Sequence, residues 1–102
     1  MATFILMTKL SSEVMENPKE RAKKGREWFK KVKKVCPEVK WIAHYSILGP
    51  YDFMDIYEAE SAEIAYKVSL ISRIYGAVSA ESWEALPYDQ YLKVLKETLK
   101  KQ

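Results

Sequence analysis

Residues 39–58 read VKWIAHYSILGPYDFMDIYE, and how they are parsed decides the fold. Two runs rich in apolar and aromatic residues, Val39 to Leu48 and Phe53 to Glu58, flank Gly49-Pro50-Tyr51-Asp52. Gly beside Pro marks a reversal, and Pro50 presets the φ that the second turn position requires. Asp52 ends the turn, where its carboxylate can accept from nearby backbone N–H groups. The stretch therefore predicts an antiparallel hairpin. A four-residue reversal opposes Leu48 to Phe53, Ser46 to Asp55 and His44 to Tyr57, all on one face. Trp41, Ala43, Tyr45, Ile47, Met54 and Ile56 then share the other face, which suits packing under helices. A three- or five-residue loop would exchange the two.

Working outward, Ala2 to Leu10 reads as a strand, with Phe4 and Leu6 pointing one way and Ile5 and Met7 the other. Apolar residues on both sides predict a central strand covered on both faces. Glu13 to Glu16 reads as a turn. Asn17 as N-cap and Pro18 at the first position start a helix that Pro37 stops. Ala22, Gly25, Phe29, Val32 and Cys36 form its stripe, widened by Trp28 and Val35. After the hairpin, Ser61 caps a second helix whose stripe is Ile64, Ala65, Val68, Ile71 and Tyr75, with Gly76 as terminator. Ala77 to Ala85 is a fourth strand. Pro87 and Asp89 open a last helix with Tyr91, Leu92, Leu95 and Leu99 expected to face inward.

The order strand, helix, strand, strand, helix, strand, helix predicts a single domain over residues 1–102. Its class is α+β, a ferredoxin-like βαββαβ sandwich with an added C-terminal helix. Both main helices fall on one face of a four-stranded antiparallel sheet. The bare face needs a cover, and a second copy of the chain provides one, as a dimeric α/β barrel.

The chain resembles the GYD-domain family of small bacterial and archaeal proteins. The likeness rests on the opening Ala2-Thr3-Phe4-Ile5, on Gly49-Pro50-Tyr51-Asp52 with the strand that follows to Glu58-Ala59, and on the strand end from Ser82 to Leu86. It is also similar to the ligand-binding half of Lrp/AsnC-type regulators, without their helix-turn-helix half. Both resemblances imply a ferredoxin-like fold pairing as a dimeric α/β barrel, and neither implies a reaction.

Composition bounds the rest. In 102 residues, 48% are hydrophobic and 30% charged, enough for one core and against disorder. The first residues read as a strand rather than a leader, and no apolar run approaches the ~20 residues of a membrane span. A cytoplasmic protein without a membrane partner is expected. Asn occurs once and Gln twice beside abundant Lys and Glu, a profile that suits a heat-adapted source. The single Cys36 excludes an intrachain disulfide. One His and one Cys make no metal site, and no motif asks for a cofactor. Nine Lys and Arg residues lie between Lys19 and Lys34, yet the net charge is only +3 and no nucleic-acid-binding motif accompanies them. They read as a solvated helix face, with a basic nucleic-acid-associated protein as an alternative.

The candidate chemistry collects near the hairpin. His44, the sole histidine, can serve as a general base oriented by Asp55, or as a structural histidine in the hairpin or a dimer seam. Asp55 inside a strand needs a partner, solvent or ligand, which makes it the best marker of a site. Tyr57 joins this pair in the expected polar cluster, with Tyr51 and Asp52 at its rim, although Asp52 equally suits a turn-stabilising role. Glu81, alternating with Ser79 and Trp83, can line the same cavity. The expected ligand-binding set is thus Tyr51, Asp52, Asp55, Tyr57 and Glu81, and the catalytic candidates are His44 and Asp55. The sequence favours a non-enzymatic, homo-oligomeric module binding a small organic molecule. A cofactor-free isomerase or monooxygenase using His44 and Asp55 is the alternative.

Overall fold

The computed structural model describes residues 1–100. Strand β1 (Ala2–Leu10) is followed by a short helix α1 (Ser12–Glu16), the long α2 (Pro18–Val35), β2 (Lys40–Ser46), β3 (Phe53–Ala59), α3 (Ala62–Ile74), β4 (Ala77–Ala85) and α4 (Tyr88–Lys100). The result is an α+β fold with one four-stranded sheet in the order β2-β3-β1-β4, every neighbouring pair antiparallel.

The helix starts follow local chemistry. Asn17 Oδ1 accepts from the Glu20 N–H, and Pro18 occupies the first turn of α2. Ser61 Oγ accepts from the Ile64 N–H at the start of α3. The expected turn at Glu13 to Glu16 is instead α1, because Ser11 Oγ caps the Val14 N–H and the buried Val14 anchors the segment. Val14 also lies against Gly76, where a Cβ would come within 3.1 Å of its Cγ2.

The core lies between α2, α3 and one sheet face. It joins Val32 of α2, Cys36 at its C-cap, and Ala65, Val68 and Ile71 of α3 to Phe4, Leu6, Tyr57, Ala59 and Ala80. The buried stripe of α2 is rotated from the expected one. Arg21, Gly25, Trp28, Val32 and Cys36 turn inward, whereas Ala22, Phe29 and Val35 are exposed. Trp28 wins the inward place because its Nε1–H donates to Ser72 Oγ on α3 at 2.8 Å while its ring meets Trp41 edge-on.

The hairpin differs from expectation in two ways. Ser46 opposes Phe53 and His44 opposes Asp55, so the connection is six residues, 47–52, rather than four. The Ile47 N–H donates to the Asp52 carbonyl across it, and Gly49 takes φ +142°, a conformation a Cβ would resist. The shift is by two residues, which preserves face parity. Second, a bulge between Trp41 and Ala43 adds a residue to β2. Trp41 and His44 therefore face the helices together, although three positions of regular strand would part them.

The helices also cover the sheet face opposite to the one expected, and Trp41 alone, turned by the bulge, keeps its expected place under them. Asp55 and Tyr57 share the helix-covered face with Phe4 and Leu6, while Ala43, Tyr45, Met54 and Ile56 lie with Ile5, Met7 and Trp83 on the other. Among the described elements no helix covers that second face. β1, expected to be covered on both faces, is covered on one.

Helix α4 also departs from expectation. Tyr91, Leu92, Leu95 and Leu99 do not face inward, and α4 has no buried residue. It continues from the end of an edge strand after only Leu86 and Pro87, too short a link to bring it back over the sheet.

Candidate functional site

β2 and β3 bring His44 and Asp55 directly opposite one another. His44 Nδ1 contacts Asp55 Oδ1, the buried carboxylate on the helix-covered face. Burial pushes the Asp55 carboxyl above the ordinary carboxylate range, and the His44 contact draws it part of the way back. The imidazole itself is largely exposed and stacks against Phe53, ring centroids 5.6 Å apart. His44 and Asp55 form the floor of a groove of about 640 Å³ between α2 and β2, walled by Trp28, Phe29 and Trp41. Arg21 of α2 crosses it, its guanidinium carbon 4.4 Å from the centre of the Phe53 ring.

The other candidates lie elsewhere. Tyr57 is fully buried, stacked on Phe4 and tilted against Trp41, and its hydroxyl bonds Ser82 Oγ at 2.8 Å. Burial pushes its phenol up to about 12. Ser82 in turn bonds Ser69 Oγ, so the Tyr57 hydroxyl is satisfied inside the core and does not line the groove.

Tyr51 and Glu81 meet over the opposite face. The Tyr51 hydroxyl donates to Glu81 Oε2 at 3.0 Å, Trp83 Nε1–H donates to Oε1 at 2.8 Å, and Ser79 Oγ also reaches Oε2. These donors hold Glu81 below the usual carboxylate range, and the same bond raises the Tyr51 phenol. The expectation that Glu81 and Trp83 line one cavity with Asp55 fails on strand parity: Glu81 opposes Met7, whereas Asp55 opposes Leu6.

Asp52 is tied to the sheet. Its N–H donates to the Thr8 carbonyl at 2.8 Å, and Oδ2 accepts from the Leu10 N–H at 2.8 Å. The β1–β4 pairing shifts register between Lys9 and Leu10, so the side chain serves an amide beside that irregularity. Adjacent residues of the Gly-Pro-Tyr-Asp loop thus grip different parts of the sheet.

Sequence reasoning missed Arg21, Trp28 and Trp41 as groove residues. The signal for the first was present: a glycine at position 25, mid-helix and one turn beyond an arginine. The bulge that turns Trp41 inward left no comparable mark. Among the described residues no three His, Cys, Asp or Glu side chains converge as metal ligands would, and no helix is long and apolar enough to cross a membrane.

Comparison with known proteins adds two findings. The family model described as GYD domain matches residues 4–95. The chain is also 29% identical, over 96 residues, to a Thermus thermophilus protein named glutamine synthetase and cystathionine beta-lyase binding protein, an alignment covering 94% of this chain and 100% of that one. No solved structure matches.

Proposed function

The chain belongs to the GYD-domain family, and from that premise we propose that it is a non-catalytic binding module, ferredoxin-like in topology, that works as a homodimer and docks on enzymes. The observation that carries this is the uncovered sheet face. Ile5, Met54 and Ile56 are only half-buried there and stand outside the core cluster, with Tyr45 and Trp83 exposed beside them.

Such a face favours a second copy, since apolar burial contributes roughly 25 cal/mol per Å². Four strands about 4.8 Å apart and some seven residues long give a flat footprint of about 440 Å². A standard interface takes about 800 Å² from each partner. The sheet face alone falls short, and the exposed Tyr88, Leu92, Leu95 and Leu99 of α4 are the natural supplement. Two sheets packed in this way make a dimeric α/β barrel. The name of the Thermus relative supports enzymes as the protein partners. The lone buried Cys36 suits a reducing cytoplasm.

The groove floored by His44 and Asp55 is read as a small-molecule site of the same module. The His44–Asp55 contact also favours a second reading, a cofactor-free acid–base enzyme, because an oriented imidazole is what a general base needs.

Light scattering tests the dimer, with a species of twice 11.9 kDa expected. Ile56→Asp should return it to monomers without loss of helical signal. A monomer alone at micromolar concentration would overturn the proposal. Calorimetric titration against glutamine synthetase and cystathionine β-lyase of the same source tests the docking, and the absence of binding heat with both enzymes would refute that part.

A further inference from the structure

Arg21 has none of the partners its position would suggest. It is half-buried, yet among the described residues no carboxylate lies within 4.0 Å of it and its guanidinium makes no hydrogen bond. Its guanidinium carbon lies over the Phe53 ring. Stacking uses the face of a guanidinium and leaves the in-plane N–H donors at its edge free for an acceptor.

The helix is adapted to this placement. Gly25 sits mid-helix, where glycine is less favourable than alanine by about 1 kcal/mol. A Cβ there would meet Arg21 Nη1 at 2.8 Å. The missing side chain is the space through which the guanidinium folds back into the groove.

The surroundings define the acceptor. Arg21, Lys24 and Arg26 line the groove and the smaller cavity that adjoins it, and the one carboxylate among these lining residues, Asp55, is already engaged by His44. A ligand ammonium would find no free anion, whereas an anion meets a positive field between low-dielectric walls. Trp28, Trp41 and Phe29 ask for an apolar body. The guanidinium fork matches the two oxygens of a carboxylate, and the aromatic walls favour a carboxylate carried on an apolar body over a bare phosphate. The volume of about 640 Å³ falls in the range of small-molecule sites, roughly 300–1,000 Å³.

We infer that the groove between α2 and β2 is a receptor for a small organic carboxylate with an apolar, ring-sized body, held by Arg21 through the space left at Gly25. This rests on the small-molecule part of the function proposed above and deepens it by naming the ligand class.

His44 is the only histidine, so its imidazole NMR signals are unambiguous. The full chain is titrated separately with phenylacetate, benzylamine and inorganic phosphate, following the His44 ring and Trp28 indole signals. Phenylacetate should shift both saturably, and the other two probes should not. Arg21→Gln should weaken phenylacetate by about 10- to 100-fold, the loss of a charge-assisted hydrogen bond. Gly25→Ala should weaken it too while raising Tm by about 4–8 °C, which separates the binding role from a structural one. Binding of benzylamine, or of phosphate as tightly as phenylacetate, would overturn the carboxylate assignment and leave the groove a ligand site. No saturable shift with any probe would overturn both. Unchanged phenylacetate affinity in Arg21→Gln would remove Arg21 from the account.

Discussion

Replacing Asp52 with alanine isolates what the hairpin loop does for the sheet. The Asp52 carboxylate accepts from the Leu10 N–H at 2.8 Å, across 42 residues of sequence, where β1 loses regular register with β4. Leu10 is half-buried, so the amide is only partly open to water once the acceptor is gone. A hydrogen bond to a charged group contributes about 1.5–3 kcal/mol. A loss of about 2 kcal/mol lowers Tm by roughly 8–16 °C for a domain of this size. Asp52→Asn keeps a neutral acceptor and should lose about half as much, because charge assistance roughly doubles such bonds. Thermal unfolding by circular dichroism measures both, and hydrogen exchange at Leu10 should accelerate about 30-fold in the alanine variant if local opening follows the same energy. Alanine and asparagine variants that melt within about 2 °C of the parent would refute the reasoning. Water would then be serving Leu10, and Asp52 would be free for another task.

Three further outcomes are expected. Burial raises the Asp55 carboxyl, so the folded state holds that proton more tightly than the unfolded chain; its contribution is fully present below the unfolded value of 3.8 and is lost as pH rises through the folded one. Asp55→Asn lacks that loss, so its stability relative to the parent should grow as pH rises through this window and then level off, as denaturant melts between pH 3 and 7 would show; a flat difference counts against the burial argument. Tyr57→Phe should cost about 1 kcal/mol through its bond to Ser82, and ultraviolet titration of the parent should show one phenol ionising only near 12. A chain ending at Leu86 should keep a cooperative melt, because α4 contributes no buried residue, while light scattering should show weaker self-association; loss of the folded domain would show that α4 packs on its own chain.

Much of the fold was legible because its signals are local. Asn17-Pro18, Ser61 and Gly76 bound their helices through capping chemistry that acts within a few residues, and the ends of β1 and β4 follow from apolar runs between breakers. The pairing of His44 with Asp55 was partly legible, since a loop error of two residues keeps parity. Which face the helices choose was not. Both faces of β1 and β3 carry large apolar residues, and their periodicity is silent about the side from which α2 and α3 arrive. The inward turn of α4 failed for a related reason: an amphipathic stripe shows that a helix seeks an apolar partner, without showing that the partner is its own chain. Arg21 escaped notice because its placement depends on what Gly25 lacks, a side chain that would fill the space its guanidinium takes.

The bulge at Ile42 has a consequence for how the chain can change length. Trp41 and His44 reach the same side of the sheet only because one extra residue lies between them. Deleting a single residue from this stretch would restore a regular strand and send either the indole or the imidazole to the opposite side, emptying a wall or the floor of the groove. An insertion or deletion in the surface turn ahead of β2, by contrast, need disturb neither. Tolerance to indels along this hairpin should therefore be sharply uneven, low between Trp41 and His44 and higher just upstream, a pattern that a single-residue deletion scan would read directly.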